Sequence, residues 1–149
     1  METVVRSNTA LGKFAQDVTT ANHKLIGDEP VASGGNDAGP SPYDFLLTAL
    51  GTCTSMTVKM YADFKKIPLE QVIVTLKYDK IHEKDCENCE NDSALLDHID
   101  RKIELMGNLT DEQRQKLLEI ANKCPVHRTL TSKIIITTEL IKSKENNNA

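Results

Sequence analysis

Tryptophan is absent, and only three Phe and three Tyr supply aromatic rings among 149 residues. The core must therefore be built from Leu, Ile, Val, Ala and Met. No basic block stands out, and 18 Lys and Arg against 22 Asp and Glu leave a net charge of −4. Such a balance repels a phosphate backbone, so no nucleic acid partner is expected. Nowhere do about 18 uncharged apolar residues run together, so no membrane span is expected. Met1-Glu2-Thr3-Val4-Val5-Arg6 lacks the basic-then-apolar order of a secretory signal. These absences predict a cytoplasmic protein.

At 39% hydrophobic and 27% charged residues the chain is not wholly disordered, and its length suits one domain. Residues 1–141 are read as that domain, and the polar tail 142–149 is expected to be disordered. In a reducing compartment, four cysteines are reactive, metal-bound or buried more readily than they are structural disulfides.

Short β-type runs at Thr3-Val4-Val5, Phe14 to Thr20 and His23 to Ile26 predict an antiparallel meander. Residues 33–42 concentrate glycine, proline and turn formers and predict a loop; the Gly34-Gly35 pair within it is a turn and lacks a phosphate-binding context. A long helix is predicted over Tyr43 to Lys65, with Pro42 in its first turn, Ser41 as N-cap and Asp44 near its positive end. Leu46, Ala49, Leu50, Cys53, Thr57 and Met60 fall on one stripe of it, and Leu47, Met56 and Val58 widen the apolar surface. Fourteen uncharged residues, Phe45 through Val58, span only about 21 Å, too short for a bilayer. The cover must be protein, and small residues from Ala49 to Thr57 favour a second copy of the helix, although they also suit packing on a sheet.

After Pro68, Val72 to Tyr78 predicts a strand reaching toward His82, residues 83–94 read as acidic and irregular, and Ile99 to Leu105 predicts another strand. Thr110 and Gln113 have the capping-box form for a helix over Asp111 to Lys123, which Pro125 cannot extend. Lys133 to Leu140 is expected to be the last strand.

Cys53 lies too far along its helix for the helix-end field to lower its pKa, so a nearby cation is needed to ionise it; the alternative is a small buried hydrophobe. Cys124, in Lys123-Cys124-Pro125-Val126-His127-Arg128 at the C-terminal end of the second helix, is expected to be a higher-pKa thiol, which suits a resolving role in which it condenses with a Cys53 sulfenic acid. His82, Cys86 and Cys89 form a single Cys-x-x-Cys with an upstream histidine. It is open to three readings: a solvated loop with spare thiols, a zinc site, or an auxiliary redox pair. His23 is read as an ordinary, partly exposed side chain.

Gly39-Pro40-Ser41-Pro42-Tyr43-Asp44-Phe45-Leu46-Leu47-Thr48-Ala49-Leu50-Gly51-Thr52-Cys53-Thr54-Ser55-Met56, followed by Cys124-Pro125-Val126-His127-Arg128, resembles the osmotically inducible protein C (OsmC) and organic hydroperoxide resistance (Ohr) family over roughly residues 3–141. The resemblance implies an α+β fold whose antiparallel sheets wrap long central helices in an intertwined homodimer. It also implies thiol-dependent reduction of organic hydroperoxides, with Cys53 peroxidatic, Cys124 resolving, an external dithiol as reductant and no cofactor. In the family an arginine supports the thiolate and an acidic residue near the helix start holds that arginine. Tyr43 stands where better-characterised members carry Glu, with Asp44 beside it as a substitute, and Arg6, Lys13, Lys24 and Arg128 are the candidate cations. Phe45, Leu46, Leu50 and Met56 are expected to offer an apolar pocket to an alkyl peroxide. The competing expectation is a non-catalytic protein of the same fold that binds an apolar ligand or a metal ion.

Overall fold

The computed structural model describes residues 1–82 and 95–142. The meander is present as β1 (Thr3–Ser7), β2 (Gln16–Thr20) and β3 (His23–Gly27), an antiparallel sheet in the order β1-β2-β3. Ala21, in the left-handed region at φ 48°, makes the tight turn that sets Thr20 opposite His23. Beyond β3 the buried Asp28 organises the loop, its carboxylate accepting from the N–H groups of Glu29, Asn36 and Ala38 at 2.8, 3.0 and 3.1 Å.

Helix α1 spans Pro42–Phe64. Its start follows the sequence signal: Ser41 Oγ accepts from the Asp44 N–H while the Asp44 carboxylate accepts from the Ser41 N–H. The buried line along α1 is Leu50, Thr54, Val58 and Ala62, one residue per turn. This corrects the expected stripe, because Ala49 and Met60 are exposed. With no charge between Phe45 and Val58, the helix carries no polar face to mark its outside, and the close approach of its neighbours selects the small Thr54 and Ala62.

Two long strands follow, β4 (Leu69–His82) and β5 (Leu95–Gly107), paired antiparallel from Leu69 opposite Gly107 to His82 opposite Leu95. Gly107 has φ 135°, and a Cβ there would run into the Pro68 carbonyl. Helix α1 lies against β4, closely enough that a Cβ on Gly51 would come within 2.8 Å of Leu76 Cδ1. Helix α2 (Asp111–Ala121), begun by the Thr110–Gln113 capping box, also packs on α1. Val58 and Ala62 of α1, Leu69, and Leu117 and Ala121 of α2 form the core, with Tyr61, Ile67, Val72, Ile103, Leu105 and Leu109 around it.

Two features of the C-terminal third differ from expectation. Helix α2 ends at Ala121, and a short helix, α3 (Pro125–Leu130), begins after Cys124. Proline cannot prolong one helix but is well suited to open the next. Lys133 to Leu140 forms no strand within the chain; Ile135, Ile136 and Leu140 are 80%, 84% and 98% exposed. A β-prone run becomes a strand only against a neighbour, and neither sheet of this chain supplies one. Residues 83–94, including Cys86 and Cys89, and the tail beyond Lys142 lie outside the described residues. Among the described residues, no helix is long and apolar enough to cross a membrane.

Candidate active site

The site lies where α1, β5 and the α2–α3 junction meet. Cys53 on α1 is half-buried, and Cys124 is fully buried at the start of α3. The Cys124 sulfur accepts the His127 N–H at 3.3 Å, capping α3. On its other side it stands 3.7 Å from Thr54 Oγ1. Cys53 is the chain neighbour of Thr54 on α1, and its side chain is among the groups that lower the Cys124 pKa. The packing of α1 on α3 thus places in one neighbourhood two cysteines separated by seventy positions of intervening sequence.

The cation at this junction is Arg101 of β5. Its Nη1 donates to Thr54 Oγ1 at 2.9 Å, and its Nη2 donates to Asn122 Oδ1 at 2.8 Å. Burial pushes the Cys124 thiol up, but the His127 N–H, the Thr54 and Cys53 side chains and the Arg101 charge together bring it below the ordinary thiol value, the opposite of the higher pKa expected, because Cys124 opens α3 instead of closing α2. Burial, and then Arg101, lower the pKa of His127. Beside this junction lies a cavity of about 370 Å³, lined by Leu50, Asp97, Ile99, Arg101, His127, Leu130 and Thr131.

The other candidate cations are placed elsewhere. Arg6 is on β1 opposite Asp17, and lines a separate cavity with Asp17, Lys24 and Phe45. Lys13 lies over the Phe14 ring, 4.9 Å from its centroid, and Arg128 is exposed on α3. Asp44 is occupied by its cap, where the Ser41 hydroxyl and N–H hold its pKa below the usual carboxylate value. Tyr43 stacks on Tyr78, ring centroids 4.4 Å apart. Tyr78 in turn donates to Asp97 at 2.6 Å, a bond that raises the Tyr78 pKa and lowers that of Asp97, and Lys80 also bonds this carboxylate at 2.9 Å. Tyr43 is thus linked to the cavity wall through Tyr78 and Asp97.

Of the expected apolar lining, Leu50 borders the Arg101 cavity, whereas Phe45 lines the cavities beside the β1–β3 sheet and Met56 is 64% exposed. His82 ends β4, and its proposed partners Cys86 and Cys89 fall outside the described residues. Among the described residues, no three His, Cys, Asp or Glu side chains cluster as metal ligands.

Sequence reasoning passed over Arg101, and a signal for it existed. Ile99, Arg101, Ile103 and Leu105 share one parity on β5, so the arginine sits on the inward, apolar face of the strand. A charge in that register has to find a partner inside the fold.

The sequence profile of the OsmC-like protein family matches residues 34–139. The chain belongs to the OsmC family. Solved structures share the OsmC fold at low identity. An OsmC-like protein from Mycoplasma pneumoniae is 17% identical, with a TM-score of 0.67 over 87% of this chain and 85% of that one. An organic hydroperoxide resistance protein from Elizabethkingia anophelis is 19% identical, with a TM-score of 0.62 over 87% and 86%. The organic hydroperoxide resistance protein OhrB of Bacillus subtilis is 14% identical, with a TM-score of 0.58 over 87% and 89%. No curated protein matches the sequence. The α+β fold with antiparallel sheets expected from the sequence is the OsmC fold.

Proposed function

We propose that this OsmC protein is a cytoplasmic, thiol-dependent peroxidase that reduces organic hydroperoxides to alcohols. The observation that carries this reading is the placement of Cys53 beside Thr54, whose hydroxyl lies 3.7 Å from the Cys124 sulfur and accepts from Arg101, next to a cavity that Arg101 lines. Cys53, the more exposed thiol, attacks the terminal peroxide oxygen as thiolate. The O–O bond breaks, the alkoxide takes a proton and leaves as alcohol, and Cys53 becomes a sulfenic acid. The Cys124 sulfur then attacks the Cys53 sulfur; the S–O bond breaks, the hydroxide leaves as water after gaining a proton, and a disulfide remains. An external dithiol supplies two electrons and two protons to restore both thiols. The protein's own sulfurs carry the whole cycle, so the proposal requires no metal or organic cofactor.

Leu50, Ile99 and Leu130 give the cavity apolar walls against which an alkyl group gains hydrophobic contact and hydrogen peroxide gains none. A second copy of the chain is the proposed partner. Met56, Met60 and Phe64 lie exposed along α1, and Ile134, Ile135, Ile136, Leu140 and Ile141 are equally uncovered.

Intact-mass measurement after one equivalent of cumene hydroperoxide tests the reading. The reduced protein should lose two hydrogens, and Cys53→Ser and Cys124→Ser should each abolish that loss. Cumene hydroperoxide should be consumed at least about tenfold faster than hydrogen peroxide, a difference of about 1.4 kcal/mol in transition-state binding. An unreactive Cys53, or equal consumption of the two peroxides, would count against the proposal.

A further inference from the structure

Thr54 is a polar side chain at 0% exposure in the middle of an apolar helix. Its hydroxyl has one proton to give and three neighbours. It donates to the Leu50 carbonyl at 2.7 Å, receives Arg101 Nη1 at 2.9 Å, and stands 3.7 Å from Cys124 Sγ. Because Arg101 occupies an acceptor position on Oγ1, the one hydroxyl proton can turn either to the helix carbonyl or to the sulfur. With Cys124 as a neutral thiol, the proton stays on Leu50 O and the thiol can donate to Oγ1. With Cys124 ionised, the proton swings to the sulfur while the guanidinium remains behind the hydroxyl. Asn122 Oδ1 and the Ala121 carbonyl fix the guanidinium in this position.

We propose that Arg101 and Thr54 are positioning residues for the second half of the cycle: through the Thr54 hydroxyl, Arg101 stabilises negative charge on the Cys124 sulfur as it attacks the sulfenic sulfur of Cys53. This rests on the peroxidase reading and assigns a role to two residues that the sequence did not single out. The groups that face Cys124 are Cys53 and Thr54 on α1, Arg101 on β5 and His127 on α3, and Asp97 shares the cavity with Arg101 and His127. Arg101 is the positive group whose charge acts on Cys124. The pair therefore favours disulfide closure by raising the fraction of ionised Cys124.

The test follows both half-reactions over a range of pH, trapping the Cys53 sulfenic acid with dimedone and timing disulfide closure by intact mass. Thr54→Val keeps the shape and removes the hydroxyl; Arg101→Met removes the charge. In each, closure at neutral pH should slow by about threefold to tenfold, as expected when the attacking thiol's pKa rises by about one unit. The deficit should fade at high pH, where Cys124 ionises without help, and the sulfenic acid should persist longer. Thr54→Ser should restore the wild-type profile, a rescue that lost packing alone would not give. Folded variants that close the disulfide with the wild-type pH profile would overturn the inference and leave the peroxidase reading intact. Wild-type protein that forms no sulfenic acid at Cys53 would overturn that reading.

Discussion

Asp28 takes no part in the thiol chemistry, yet it is buried and its carboxylate gathers three backbone N–H groups of the loop that leads into α1. The Ala38 N–H is foremost in holding its pKa below the ordinary value of 3.8. A carboxyl lowered on folding gives stability that is fully present above its unfolded value and is lost as pH falls through the lowered folded value. Asp28→Asn should therefore melt below the wild type at neutral pH, and the gap should narrow as the pH drops under 3.8. Thermal melts across that range check this; a gap independent of pH would mean that the negative charge is not what orders the loop. Single residues were unevenly legible in the sequence. Cys53 and Cys124 stood out because sulfur chemistry is rare and their surroundings are distinctive. Asp28 and Arg101 did not, because a charge is assigned to the surface unless its register is followed inward. Ile99 and Ile103 flank Arg101 on the same face of β5, and that register was the missed clue.

The ends of the elements were more readable than their faces. Both capping boxes, Ser41 with Asp44 and Thr110 with Gln113, form as their spacing requires, since capping depends on residues three positions apart. The buried face of α1 is a tertiary matter, settled by β4, α2 and α3. The two kinds of contact should differ in weight. Ser41→Ala should cost about 1 kcal/mol, the usual worth of an N-cap. Leu117→Ala, at a side chain with 0% exposure, should cost about 2–5 kcal/mol. Urea denaturation of both variants checks the ranking, and comparable losses would mean that α1 depends on its end as much as the domain depends on its core. Helix α3 escaped notice because Pro125 was weighed as the stop of one helix and not as the opening of another.

Over its described residues the whole molecule exposes a large apolar surface, which the proposed second copy would cover. Ile134, Ile135, Ile136, Leu140 and Ile141 follow α3 with 54–98% exposure, and Met56, Met60 and Phe64 are 64–77% exposed on α1. Sequence pattern marked Lys133 to Leu140 as a strand and none forms, because whether a β-prone run pairs depends on what lies beside it, which one chain's pattern does not encode. Sedimentation of the full chain should give twice 16.5 kDa at micromolar concentration, and truncation after Ser132 should weaken that association or leave the protein insoluble. A species of 16.5 kDa that stays soluble and monomeric would refute the second copy as partner.

The sulfur of Cys124 also has a mechanical duty, because it tethers the first amide of α3 that points back toward it, that of His127. In the proposed cycle, a sulfur in a disulfide with Cys53 carries no negative charge and accepts that amide's hydrogen bond more weakly. Each oxidation would then loosen the cap of α3, whose His127 and Leu130 wall the cavity, and each reduction would tighten it again. Access of the next peroxide to the cavity would thereby follow the oxidation state of the protein itself.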